Sequence, residues 1–94
     1  MSVDIDVFAD GSSESFSFDT EVSTLAELLY EQNLIVAEEG QYGIFITSVN
    51  GRVADSSKQE WWCITKNGEE VFSSASETYL TDGDKYELTL KTGW

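Results

Sequence analysis

Histidine and proline are missing from this chain of 94 residues, and cysteine occurs only once. Without histidine, the chain lacks the commonest general base and the commonest transition-metal ligand, which excludes zinc sites built from cysteine and histidine. Cys63 has no partner for an internal disulfide, and its place in an apolar run predicts a small buried side chain. The absence of proline is compatible with strands that pair along their whole length.

Positive charge is also scarce, because 5 lysine and arginine residues stand against 18 acidic residues, a formal net charge of −13. Such a chain repels phosphate backbones and anionic lipid head groups, so we expect no nucleic-acid partner and a monomer in solution. No stretch approaches the ~20 apolar residues of a membrane span, so we expect no insertion into a membrane. The opening MSVDIDVF lacks the basic and apolar regions of a signal peptide, which predicts either a cytosolic protein or one whose export signal has been removed.

Strand patterns open and close the chain, which at this length is expected to form one compact domain over residues 1–94. Residues 3–9 alternate between apolar and polar side chains, and residues 14–19 do so again after a turn at Asp10, so these segments are predicted to form a hairpin. The clearest strand follows a turn at Asp82, where alternate apolar side chains occupy residues 86–90.

One helix is predicted within STLAELLYEQN, residues 23–33. Thr24 is placed to cap its N-terminus, and Glu27, three residues later, completes a capping box. A helix of about ten residues is marginal alone, so it must pack on the sheet. Its apolar face is formed by Leu25, Leu28 and Leu29.

The middle of the chain contains two more strand patterns. After a connector containing Glu38 and Glu39, residues 43–49 are apolar on both faces, which predicts a central, two-sided strand. Residues 61–66 form another strand, whose return partner is expected at Val71 and Phe72. The whole pattern predicts an α+β, β-grasp-like fold in which one helix packs on a mixed sheet.

Acidic side chains are the remaining candidates for catalysis or metal binding. A carboxylate pair is able to perform acid–base chemistry, but so small a domain offers little cleft, and we expect no enzyme. Asp82 and Asp84, together with the aspartates of the first strand, offer the oxygen ligands that calcium prefers, although none forms the spaced calcium loop. The interpretation we favour is that Asp82 and Asp84 shape a turn.

Trp61 and Trp62 are neighbours on a predicted strand, so their side chains point to opposite faces and only one enters the main core. The other tryptophan has two possible roles. Either a loop or the terminal Trp94 covers it, or it forms an aromatic platform for a flat apolar ligand or a partner protein.

Four segments, STLAELL, YGIFITSVNG, EWWCITKNGEE and YLTDGDKYELTLKTGW, together resemble the transcobalamin-like C-terminal domain family in order and spacing. This family includes the small β domain of transcobalamin and intrinsic factor, and it also occurs in bacterial surface proteins and lipoproteins of unknown function. The resemblance covers residues 16–94. The sequence departs from the family pattern at Lys66, where bacterial members have valine, and at Cys63, where transcobalamin has a polar amide.

In the animal carriers, this domain closes over cobalamin held against a larger helical domain. The resemblance therefore implies a noncatalytic binding module for cobalamin or a related corrinoid, with weak affinity without the helical partner, and a location at the bacterial cell surface or envelope. The alternatives are a structural or adhesive domain that binds a cell-surface protein, and a calcium-binding domain that uses Asp82 and Asp84. The implied ligand contacts are Trp62 and Ile64, then Phe45 and Thr47 on the adjacent strand, with Trp61 and Tyr42.

Overall fold

A computed structural model describes residues 1–40, 43–71 and 73–93; Tyr42, Phe72 and Trp94, about which predictions were made above, lie outside these ranges. The described part contains one α-helix, α1 (Leu25–Glu31), and eight strands. The strands are β1 (Ser2–Ala9), β2 (Ser12–Asp19), β3 (Ile35–Gly40), β4 (Gly43–Val49), β5 (Arg52–Val53), β6 (Glu60–Lys66), β7 (Glu69–Glu70) and β8 (Asp84–Thr92). Short 3₁₀ turns lie at Ser56–Lys58 and Ala75–Glu77.

Five strands form a mixed sheet in the order β2-β1-β8-β6-β7. Strands β1 and β8 run parallel, with Ile5 opposite Tyr86 and Val7 opposite Leu88, while the other neighbours run antiparallel. Because alternate residues of a strand face the same side, these four side chains share the buried face of the sheet. The α+β fold with a β-grasp-like mixed sheet is confirmed, and so are the first hairpin and the final strand.

The helix begins where the sequence predicts and covers the buried face of this sheet. Thr24 is its N-cap, and the threonine hydroxyl oxygen accepts a hydrogen bond from the Glu27 amide at 3.2 Å. Leu25, Leu28 and Leu29 are fully buried in the common core. Seven residues are too few for a stable isolated helix, so this packing holds α1 in place. No helix in the described ranges is long and apolar enough to cross a membrane.

The second sheet has three strands, in the order β3-β4-β5, and it differs from the predictions. The connector containing Glu38 and Glu39 is in fact strand β3, whose outer half is exposed and acidic. Strand β4 is central, as predicted, but it pairs with β3 and β5, and it is not adjacent to β6 in the mixed sheet.

The prediction that β4 is buried on both faces is also wrong, and a β-bulge is the reason. Val36 lies opposite Ser48, whereas Ala37 lies opposite Ile46, so Thr47 is an extra residue in β4. An inserted residue reverses the alternation of side chains beyond it. The bulge therefore brings Val49 to the same buried face as Ile46 and leaves Phe45 on the outer face.

A polar cluster lies at the start of β8. Asp84 is only 8% exposed. Its carboxylate accepts hydrogen bonds from the Thr81 amide at 2.8 Å and the Tyr86 hydroxyl at 2.9 Å, and it forms an ion pair with Lys66 at 3.3 Å. Burial acts to raise the pKa of Asp84, but these three partners outweigh it and hold the pKa below its usual value. Burial, followed by the bond to Asp84, raises the pKa of Tyr86.

Replacing Asp84 with asparagine is expected to lower the free energy of unfolding at pH 7 by about 2 kcal/mol, because it removes the charge that the cluster is built around. Since the folded pKa of Asp84 is lowered, its stabilising effect is present above the unfolded pKa of about 4 and is lost as the pH falls further. The difference between wild type and Asp84→Asn should therefore shrink below about pH 4.

Urea denaturation, followed by circular dichroism at a series of pH values, measures this difference. The series runs from pH 7 down to about pH 2.5, which covers the titration of the Asp84 carboxyl. Glu77→Gln, at an exposed carboxylate, is the control, and its effect should stay within about 0.5 kcal/mol. A difference for Asp84→Asn that is constant across the whole pH range contradicts the assignment.

Candidate ligand groove

A shallow groove of about 250 Å³ lies along the edge of β6, where the two-residue strand β7 ends. Strand β7 pairs only with Thr65 and Lys66, so the first half of β6 has β8 as its single strand neighbour among the described residues. We call this shallow groove the edge groove. It is lined by Trp61, Trp62, Cys63, Ile64, Glu70 and Val71.

The two tryptophans reach the edge groove from opposite faces of the sheet. Trp62 lies opposite Leu90, belongs to the core and is 7% exposed, and its indole N–H donates a hydrogen bond to the Arg52 carbonyl at 3.2 Å. Trp61 lies on the other face, where its indole N–H donates to the Gly93 carbonyl at 2.8 Å. The Lys91 ammonium lies 6.0 Å from the centre of the Trp61 ring, within cation–π range. Both rings are thus held in fixed orientations.

Arg52, the chain's only arginine, ties the second sheet to this region. Its guanidinium lies 2.9 Å from the carboxylates of both Asp10 and Glu60. Hydrogen bonds from Arg52 lower the pKa of each carboxyl, and the two carboxylates in turn raise the pKa of Arg52. Because the Arg52 carbonyl also accepts the Trp62 indole bond, this ion pair positions one wall of the groove.

The backbone of β6 also faces the edge groove. The Ile64 carbonyl accepts a hydrogen bond from the Val71 amide at 3.3 Å, so the backbone polar groups of Ile64 point away from β8. Those of Trp62, two residues earlier, point the same way, since the direction alternates along an antiparallel strand. No residue in the described ranges pairs with Trp62 on that side. The groove therefore offers one backbone donor and one acceptor beside apolar side chains.

The structure brings together three of the six ligand contacts implied by the resemblance, namely Trp61, Trp62 and Ile64. Phe45 and Thr47 lie in the other sheet, where the Thr47 hydroxyl donates to the Val36 carbonyl at 3.1 Å. Tyr42 lies outside the described residues. The resemblance missed Glu70 and Val71, for which the signal was their place just after the Asn67-Gly68 turn.

The two aspartates of the calcium alternative have structural partners. Asp82 accepts a hydrogen bond from the Ser2 amide at 2.6 Å, and Asp84 belongs to the cluster with Lys66 and Tyr86. Among residues 1–40, 43–71 and 73–93, no group of three or more acidic or cysteine side chains is arranged to hold a metal ion.

Because Trp62 is part of the core and Trp61 is not, truncating them should have unequal effects on stability. Trp62→Ala is expected to lower the free energy of unfolding by about 3–5 kcal/mol, and Trp61→Ala by about 1–2 kcal/mol. Urea denaturation followed by far-ultraviolet circular dichroism measures both, and Trp62→Phe replaces Trp62→Ala if the latter does not fold. An equal or larger loss for Trp61→Ala contradicts the assignment of Trp62 to the core.

Solved structures and one family profile match this chain, while none of the curated protein sequences does. A candidate metal-binding protein from Ruminococcus gnavus ATCC 29149, whose crystal structure was determined at 1.30 Å resolution, is 48% identical over 99% of this chain and 98% of its own, with a TM-score of 0.96. Haptocorrin in complex with Cbi matches 100% of this chain with 25% of its own length, at 18% identity and a TM-score of 0.80, which shows a shared fold. Residues 23–92 match the profile of DUF4430, a domain of unknown function, and the chain therefore belongs to the DUF4430 family.

Proposed function

We propose that this domain is a noncatalytic binding module that holds cobalamin or a related corrinoid at the edge groove. The observation that carries the proposal is the convergence of Trp61, Trp62 and Ile64 on one groove. The fold shared with haptocorrin, which binds Cbi in its crystal structure, supports the choice of ligand. The resemblance to the transcobalamin-like domains of bacterial surface proteins and lipoproteins supports a location at the cell surface or envelope.

The chemistry of the edge groove suits the rim of a corrin ring. The tryptophan rings and Val71 offer apolar contacts, while the outward backbone groups of Trp62 and the carboxylate of Glu70 offer hydrogen bonds to the amide side chains of the corrinoid. The outward backbone groups of Trp62 lie on a paired strand and beside a fixed indole, so they need little ordering on binding.

The size of the edge groove sets the expected affinity. Its volume of about 250 Å³ is below the range of roughly 300–1,000 Å³ that encloses a drug-sized ligand. A corrinoid therefore lies across the groove with much of its surface in water, and we expect a dissociation constant in the micromolar range or weaker. A second protein surface over the exposed side of the ligand would strengthen binding.

Equilibrium dialysis against cyanocobalamin, read from the visible absorbance of the ligand, tests this proposal. Binding should saturate at one ligand per chain, and Trp61→Ala or Val71→Ala should weaken it about tenfold, because each removes apolar contact area in the groove. Tyr79→Ala is the matched control, since Tyr79 is 71% exposed and does not line the groove.

Circular dichroism of each variant establishes that its fold is intact before binding is compared. Absence of saturable binding by the wild type overturns the corrinoid assignment. Equal weakening by Trp61→Ala and Tyr79→Ala overturns the assignment of the binding surface.

A divalent metal ion is the second candidate ligand, because the similar Ruminococcus gnavus protein is a candidate metal-binding protein. We place it behind the corrinoid because the carboxylates of Asp82 and Asp84 already have partners in the fold. Binding of calcium by these aspartates would displace the Ser2 amide and Lys66. It would also reduce the repulsion within a chain of net charge −13.

Thermal unfolding in the presence of calcium tests the second candidate. If the site has a sub-millimolar Kd, calcium at about 100 times that Kd stabilises the folded protein by about 2.7 kcal/mol. We expect no shift of the midpoint that EDTA reverses. A reversible increase that Asp82→Asn abolishes would contradict this expectation and favour calcium.

A further inference from the structure

The outer face of the three-stranded sheet carries three exposed apolar side chains. Val36 on β3, Phe45 on β4 and Val53 on β5 are 61%, 62% and 61% exposed. Together they present an apolar area on the order of 300 Å², which is the size of the largest patch on a typical monomer and is often functional. We call these three residues, with Ser48, the outer apolar face.

Strand register places Ser48 at the centre of the outer apolar face. Val36 and Val53 both lie opposite Ser48, on either side of it. Phe45 lies earlier on β4, on the other side of the bulge at Thr47. Ser48 is only 5% exposed because its larger neighbours flank it.

A second copy of the chain does not suit this face. A stable interface buries roughly 800 Å² on each partner, well above the apolar area present here. Two copies would also bring together surfaces of formal charge −13 each. Glu38 is exposed and lies directly opposite Phe45 in the sheet, so a symmetric dimer would juxtapose like charges.

We propose that the outer apolar face docks a polypeptide segment whose apolar side chains are flanked by lysine or arginine. The apolar side chains of the segment would cover Phe45 and the two valines, and one of its cations would pair with Glu38. The same acidic charge repels anionic membranes and nucleic acids, which leaves a basic polypeptide as the complementary partner.

The outer apolar face and the edge groove lie on different sheets and share no residue. Docking at this face is therefore independent of the proposed corrinoid site. Loss of one function by substitution should leave the other unchanged.

The test is a titration of ¹⁵N-labelled protein with a synthetic peptide of alternating valine and lysine, followed by ¹H–¹⁵N correlation spectra at low salt. Saturable shifts are expected at Val36, Phe45, Ser48 and Val53. Phe45→Ser should weaken binding at least tenfold, while Glu38→Gln should weaken it a few-fold and reduce its dependence on salt. Tyr79→Ser, at an exposed aromatic residue away from this face, is the matched control.

Three results would overturn the proposal. The first is a valine–glutamate peptide that binds as tightly as the lysine peptide. The second is a set of peptide-induced shifts that lies elsewhere on the protein, or that is the same in Phe45→Ser as in the wild type. Because Phe45 is exposed, this substitution leaves folding intact. The third is shifts at these residues that depend on protein concentration without peptide, which would identify a second copy as the occupant.

Discussion

The parallel pairing of β1 with β8 joins two segments that are far apart in the sequence, and the five-stranded sheet extends from it on both sides, through β2 and through β6. Fully buried side chains, Ile5 and Tyr86 among them, meet across this ladder. The turn before β8 strengthens the pairing, because the Gly83 amide donates to the Ser2 carbonyl at 2.7 Å and Asp84 satisfies both the Thr81 amide and Tyr86. Among the described residues, the first half of β6 has β8 as its single strand neighbour, so β8 links the tryptophan pair to this central ladder.

Stability and binding therefore draw on the same residues. The inward face of Trp62 stabilises the core, while its edge and its outward backbone groups line the edge groove. The ion pairs of Arg52 fix the carbonyl that accepts the Trp62 indole bond, so charges on three separate segments support one aromatic wall. A site supported in this way is rigid before a ligand arrives, which reduces the entropic cost of binding.

Local patterns predicted much of the fold, and contacts between distant segments account for the parts that were missed. Alternation along β1 and β8, and the Thr24 cap of α1, are local signals that the structure confirms. Strand β3 was missed because Glu38 and Glu39 have low strand propensity, and the bulge at Thr47 is visible only from the pairing with β3. Three ligand contacts implied by the resemblance, Trp61, Trp62 and Ile64, line the edge groove, and their role in binding stays a prediction. The Asn67-Gly68 turn was the local signal for Glu70 and Val71, whereas the ion pairs of Arg52 join distant segments and are not visible in one sequence.

We propose that the edge groove binds a corrinoid through its tryptophans. The most direct measurement is a ¹H–¹⁵N spectrum of protein labelled with [¹⁵N]tryptophan during titration with cyanocobalamin, with the indole signals assigned by Trp61→Phe and Trp62→Phe. The account predicts that the indole signals of both Trp61 and Trp62 shift and saturate together, since both side chains line the groove. Saturable binding that leaves both indole signals unchanged would contradict the claim, and so would the absence of binding.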